Sequence, residues 1–69
     1  MNEKPKKVDF VGKKFRVYQD GKLEGIARVV KVELLEKNSN VASCVVRFDG
    51  EPDRTYTRWV DYDRRVGNW

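Results

Sequence analysis

Histidine is absent from this sequence, cysteine occurs once, and the apolar residues never gather into a long run. Each shortage removes a class of function. Without histidine, and with Cys44 alone, ordinary zinc, copper and iron sites lack their donors. Ser-His and Cys-His nucleophile pairs lack their base. One cysteine has no intrachain disulfide partner, so the core must hold without that crosslink, as suits a reducing compartment. A membrane helix needs about 20 consecutive apolar residues. The opening "MNEKPKKVDF" is basic, with no apolar run of signal-peptide length behind it. The expected location is therefore cytoplasmic, or nucleoid or nuclear, and neither secreted nor membrane-bound. Two carboxylate pairs, Glu51 with Asp53 and Asp61 with Asp63, sit two residues apart and are the remaining candidates for acid/base work. Both fall in turn-like stretches where acids are solvated, so the expectation is a non-enzymatic protein with no catalytic residue, metal or cofactor.

What the sequence does have is charge and enough apolar residues for one small core. It holds 69 residues, 39% hydrophobic and 38% charged, with a net charge of +4. A chain of this size forms one domain and is marginal on hydrophobic burial alone. The basic excess suits a polyanion, nucleic acid above all, although a positive charge also serves simple solubility.

Residues 1–8 are polar and lysine-rich without periodicity, and are expected to be a flexible basic arm ahead of a domain over 9–69. From Lys14 the pattern alternates. Phe15 and Val17 face one way and Lys14, Arg16 and Tyr18 the other, as in a half-buried strand. Asp20-Gly21 is a hairpin signal. The stretch from Leu23 to Leu35 fits a helical stripe (Ile26, Val29, Val30, Leu34) or a strand face (Ile26, Val30, Val32, Leu34). Its β-branched residues and Gly25 favour one long strand bent near that glycine. Lys37 to Asn40 is a turn by composition. In "VASCVVRFD", Ala42, Cys44, Val46 and Phe48 alternate with Ser43, Val45 and Arg47, which makes Cys44 a small core residue. Asp49 to Asp53 is the next turn, since Pro52 cannot donate to a ladder. "RTYTRWV" supplies a fourth strand. A turn around Asp61 to Arg64 precedes a short closing strand bearing Val66 and Trp69. The fold class expected is all-β: a small antiparallel barrel of about five strands, closed on itself to remove open edges.

Val11-Gly12, Phe15 and Val17, the Asp-Gly turn, the long apolar strand, and Val46, Phe48 and Asp49-Gly50 together resemble an SH3-like barrel of the Tudor, KOW and retroviral-integrase C-terminal type. The resemblance spans roughly Phe10 to Val60 and leaves "DYDRRVGNW" unmatched. It implies one of two binding functions. KOW-like and integrase-like barrels bind nucleic acid through basic strand faces; Tudor-like barrels hold methylated lysine or arginine in an aromatic cage. A plasmid-type dihydrofolate reductase shares the barrel, but its Val-Gln-Ile-Tyr stretch is missing here. Fold does not choose among these.

The leading expectation is a nucleic-acid face, DNA or RNA, made by Lys14, Arg16, Tyr18, Arg28, Arg47, Arg54, Tyr56 and Arg58, with Lys31 as an extension. Guanidinium forks suit phosphate, and exposed aromatics stack bases. Arg58 joins this face provided Trp59 packs toward the core. The alternative is a protein-binding module. It takes two forms: a cage of Tyr18, Phe48, Tyr56 and Trp59 around a cation, or a small accessory or inhibitory protein docking on an acidic protein surface. An open sheet edge would also allow a homodimer. Under the blandest reading these arginines simply pair with carboxylates across a solvated hairpin.

Overall fold

The computed structural model describes residues 4–67. Over these residues the chain is all-β apart from one helical turn and a 3-10 turn. The elements run α1 (Lys7–Phe10), β1 (Lys14–Gln19), β2 (Lys22–Leu35), β3 (Val41–Phe48), β4 (Tyr56–Asp61) and a 3-10 turn over Tyr62–Arg64. The strands form one antiparallel sheet in sequence order, curled into a half-barrel. No helix among the described residues is long and apolar enough to cross a membrane.

Each connection has a local cause. Asp20 (φ 52°) and Gly21 (φ 77°) are both left-handed, and Gln19 pairs with Lys22 across them. That is a type I′ hairpin, which needs positive φ at both central residues. Val11 (φ −63°, ψ 130°) and Gly12 (φ 81°) make a type II turn closed by the Lys13 N–H on the Phe10 carbonyl. This turn feeds Phe10, the last residue of α1, into the core. Lys7 and Val8, expected in the flexible arm, belong to that helical turn. Pro52 sits at the second position of a turn whose Arg54 N–H donates to the Glu51 carbonyl, where its fixed φ is an asset.

The core is the concave side of the sheet: Phe15, Val17, Ala27, Val29, Ala42, Cys44, Val46, Phe48 and Val60, with Phe10 added from α1. The alternation expected in β1 and β3 is the alternation observed. Three expectations need correction. First, the inward set of β2 is not Ile26, Val30, Val32 and Leu34. Ala27 and Val29 are buried and Val32 and Leu35 half-buried, while Ile26, Val30 and Leu34 face out. The cause is a pair of register shifts, between Val29 and Lys31 and between Val32 and Leu34. Each inserts a residue without a partner in the ladder, so a period of two becomes a period of three. The inward positions past the first shift are 29, 32 and 35, and of the helical stripe only Val29 faces the core.

Second, β4 begins at Tyr56, with Arg54 and Thr55 left in the loop. Third, four strands form among the described residues where about five are expected. After the 3-10 turn, Arg65 makes an isolated bridge with Phe15, and the Val66 N–H donates to the Lys14 carbonyl (2.9 Å). This short return ties Arg65 and Val66 to the outer edge of β1. Trp69, expected on the closing strand, lies outside the described residues. Phe10, Phe15 and Tyr62 cluster beneath the return, with ring centroids 5.4 to 6.3 Å apart.

Candidate nucleic-acid interface

Partners opposite one another in an antiparallel ladder project from the same side of the sheet. The register therefore sorts the candidate residues between two faces. Arg58 lies opposite Cys44 and Tyr56 opposite Val46, and both partners are fully buried, so Arg58 and Tyr56 belong to the concave side. Trp59 lies opposite Ser43 and projects outward, 59% exposed. The condition for placing Arg58 on the basic outer face is thus not met, because β4 turns Val60 inward in place of Trp59.

On the concave side Arg58 is already used. Its Nε and Nη2 donate to both carboxylate oxygens of Glu24 (2.8 Å each), and its Nη1 donates to the Thr57 carbonyl. Its guanidinium lies 5.1 Å from the Tyr56 ring centroid, and the Tyr56 hydroxyl donates to Glu51 (2.9 Å). The bidentate hydrogen bond lowers the Glu24 pKa below its ordinary value and raises that of Arg58. The pair links β2 to β4 across the mouth of the half-barrel, and reads as a clasp.

The four aromatics expected to form a cage do not meet. Phe48 and Tyr56 pack edge to face at 5.7 Å. Trp59 is on the opposite face, and the Tyr18 ring is covered by Arg64, 4.0 Å from its centroid. A hollow of about 240 Å³ does open beside Phe48, rimmed by Glu24, Asp49 and Glu51. Its carboxylates are engaged: Glu24 by Arg58, Glu51 by Tyr56, and Asp49 by Lys14 at 3.1 Å. An incoming cation would have to displace these partners.

The convex side differs. Lys14 is opposite Arg28, and Arg28 is opposite Arg47, so three cations stand in one row across β1, β2 and β3. Lys31, just past the bulge at Val30, heads the next row with Val45 and Thr57. Arg16 borders the first row, opposite Ile26, with its guanidinium on the Arg65 carbonyl at 3.3 Å. Arg28 donates to the Gly12 carbonyl. Among the described residues, the side chains of Arg47 and Lys31 have neither a hydrogen-bond nor an ion-pair partner. Farther along the same face comes the row Leu34, Ser43, Trp59, and then Val41 opposite Asp61. Leu34, Val41 and Trp59 are all exposed there.

Of the expected set, then, Lys14, Arg16, Arg28 and Arg47 share the convex face together with Lys31. Tyr56 and Arg58 lie on the other side, Arg54 is exposed in the β3–β4 loop, and Tyr18 is stacked under Arg64. From sequence Trp59 is expected either in the cage or packed toward the core with Arg58 outside, and its outward place on the convex face is a finding of the structure. No local signal chooses between Trp59 and Val60 as the inward residue of β4; the register with β3 does.

Among the described residues no cluster of side chains suits a metal ion. No protein-family model matches the chain, and neither the curated proteins nor the solved structures yield a significant match to it.

Proposed function

We propose that this protein is a non-catalytic nucleic-acid-binding domain of the SH3-like barrel kind, and that its contact surface is the convex face of the sheet. The observation that carries the reading is the row Lys14, Arg28, Arg47. Like charges directly opposite in a sheet destabilise it by a few tenths to about 1 kcal/mol per pair. Asp49 offsets part of this at Lys14, but Arg28 has only a neutral carbonyl and Arg47 no partner among the described residues. An arrangement that works against the fold is explained when a polyanion completes it. A phosphate backbone laid across the row would meet guanidinium forks and ammonium groups without displacing an existing carboxylate from Arg28, Arg47 or Lys31.

A protein partner is the second reading, and the exposed Leu34, Val41 and Trp59 favour it. An acidic protein surface with an apolar centre would satisfy the same face.

A salt titration with a short DNA and a matching RNA tests the proposal. Neutralising three or four phosphates gives a log–log slope of about −2 to −4. Arg28→Ala and Arg47→Ala should each weaken binding, while Arg58→Ala should do so only to the extent that it loosens the fold. No binding of either nucleic acid at about 50 mM salt overturns the reading in favour of a protein partner.

A further inference from the structure

Building on the nucleic-acid reading of the convex face, we infer that this face takes single strands in preference to duplex. One unpaired base stacks on Trp59, and the backbone runs from there toward Arg28 and Arg47.

Three features of the face support this. Trp59 is 59% accessible, and it stands on a strand interior and not on a loop tip. Its cross-strand neighbour is Ser43, too small to cover it, and Leu34 continues the row beyond. Its ladder partner thus leaves most of the ring open to a flat partner. Next, the cations lie at a definite remove. Along β3 successive outward rows are two residues apart, so at about 3.3 Å per residue the Lys31 row is about 7 Å from the Trp59 row and the Arg28–Arg47 row about 13 Å. That is a few nucleotides of single strand. Finally, the charge along the face has a direction. Asp61, opposite Val41, closes the apolar end with a carboxylate, while Lys31, Arg28, Arg47 and Lys14 occupy the other. A backbone leaving the base on Trp59 is repelled at one end and attracted at the other.

Strandedness follows from the ring. In a duplex both surfaces of an internal base are covered by its neighbours, so an exposed tryptophan has no base surface to stack on. In a single strand the base surface is available, and stacking on an aromatic side chain is sequence-tolerant. The apolar bed around Trp59, unfavourable against water or a duplex backbone, becomes favourable against an unpaired base.

The test uses the full chain with Trp69→Phe, which leaves Trp59 as its sole tryptophan. The probes are an oligothymidylate of about ten nucleotides, within the usual range of single-strand site sizes, and a duplex of matched length. The expected result is quenching of Trp59 emission by the single strand and affinity at least about tenfold above the duplex. Trp59→Ala should lower single-strand affinity about tenfold or more, with Trp59→Phe retaining most of it. Thr57→Glu, which sets a carboxylate between Trp59 and the cation row without touching the core, should also weaken binding and guards against a misfolded Trp59→Ala. If Arg28→Ala and Arg47→Ala weaken binding while Trp59→Ala and Thr57→Glu do not, or if the duplex binds as tightly, the stacking inference is wrong and the basic-face reading survives. If neither probe binds at about 50 mM salt, both are wrong.

Discussion

The two faces of β4 hold an arginine and a tryptophan side by side in sequence, and the molecule uses them in opposite ways. On the concave side Arg58 has every contact it needs: both oxygens of Glu24, a backbone carbonyl and the Tyr56 ring. On the convex side Trp59 is mostly exposed, and the nearby cations stand opposite one another with little to neutralise them. An arginine beside an aromatic residue is therefore not in itself a binding motif. What separates a structural arginine from a ligand-seeking one is whether the fold has already supplied its anion.

This contrast is open to direct tests. The largest effect should come from the concave core. Phe15 is fully buried against Phe10 and near Tyr62, so Phe15→Ala should cost about 3–5 kcal/mol in chemical denaturation, most of the stability available to so small a domain. An unfolding midpoint near the parent's would show that the concave side is not the core.

Next comes Cys44, also fully buried, whose thiol is pushed by burial from 9.0 up to about 11. The unfolded chain ionises first. The stability is intact below pH 9 and is lost as pH rises toward 11, by roughly 2–3 kcal/mol. Cys44→Val removes this component, so the variant's alkaline loss should be smaller than the parent's. Equal losses would place the thiol in water.

A smaller effect is expected at the clasp. The Glu24 pKa is lowered chiefly by its hydrogen bond to Arg58, so its contribution is present above the ordinary glutamate value and lost as pH falls through the lowered one. Both side chains are about a quarter exposed, which limits the contribution to about 1 kcal/mol. Glu24→Gln should flatten the acid limb of the stability profile. A double-mutant cycle with Arg58→Met should show the two changes to be non-additive.

The smallest effect has the most diagnostic sign. Removing one member of the convex row, by Arg47→Ala, should leave stability unchanged or raise it by a few tenths of a kcal/mol while nucleic-acid binding falls. A clear loss of stability would mean that Arg47 belongs to the fold, as Arg58 does.

β1 and β3 are legible from the sequence because each alternates without interruption, and alternation is the direct record of which face is buried. Their turns are legible for a chemical reason: Asp20-Gly21 and Pro52 supply backbone angles that few other residues adopt. β2 is legible as a strand but not as a face. Nothing local marks a bulge between Val29 and Lys31, because a bulge is a mismatch between two strands and exists only once they pair. The candidate site inherits that limit. Lys14, Arg16 and Arg47 are placed outward by their own strands, whereas the fate of Arg58 depends on whether β4 turns Trp59 or Val60 inward.

The sequence by itself determined the class of the fold, the burial of Cys44, and the outward direction of the cations on β1 and β3, since each follows from a period of two and from turn chemistry within a few residues. Only the tertiary structure decided which arginines are neutralised. Glu24 and Arg58 are 34 positions apart, and it is the curl of the sheet that brings them to 2.8 Å. The same curl, with the register of β1, β2 and β3, sets Lys14, Arg28 and Arg47 in one row. Long-range pairing is a property of the assembled sheet as a whole, and a single strand carries no local signal for what will stand opposite it.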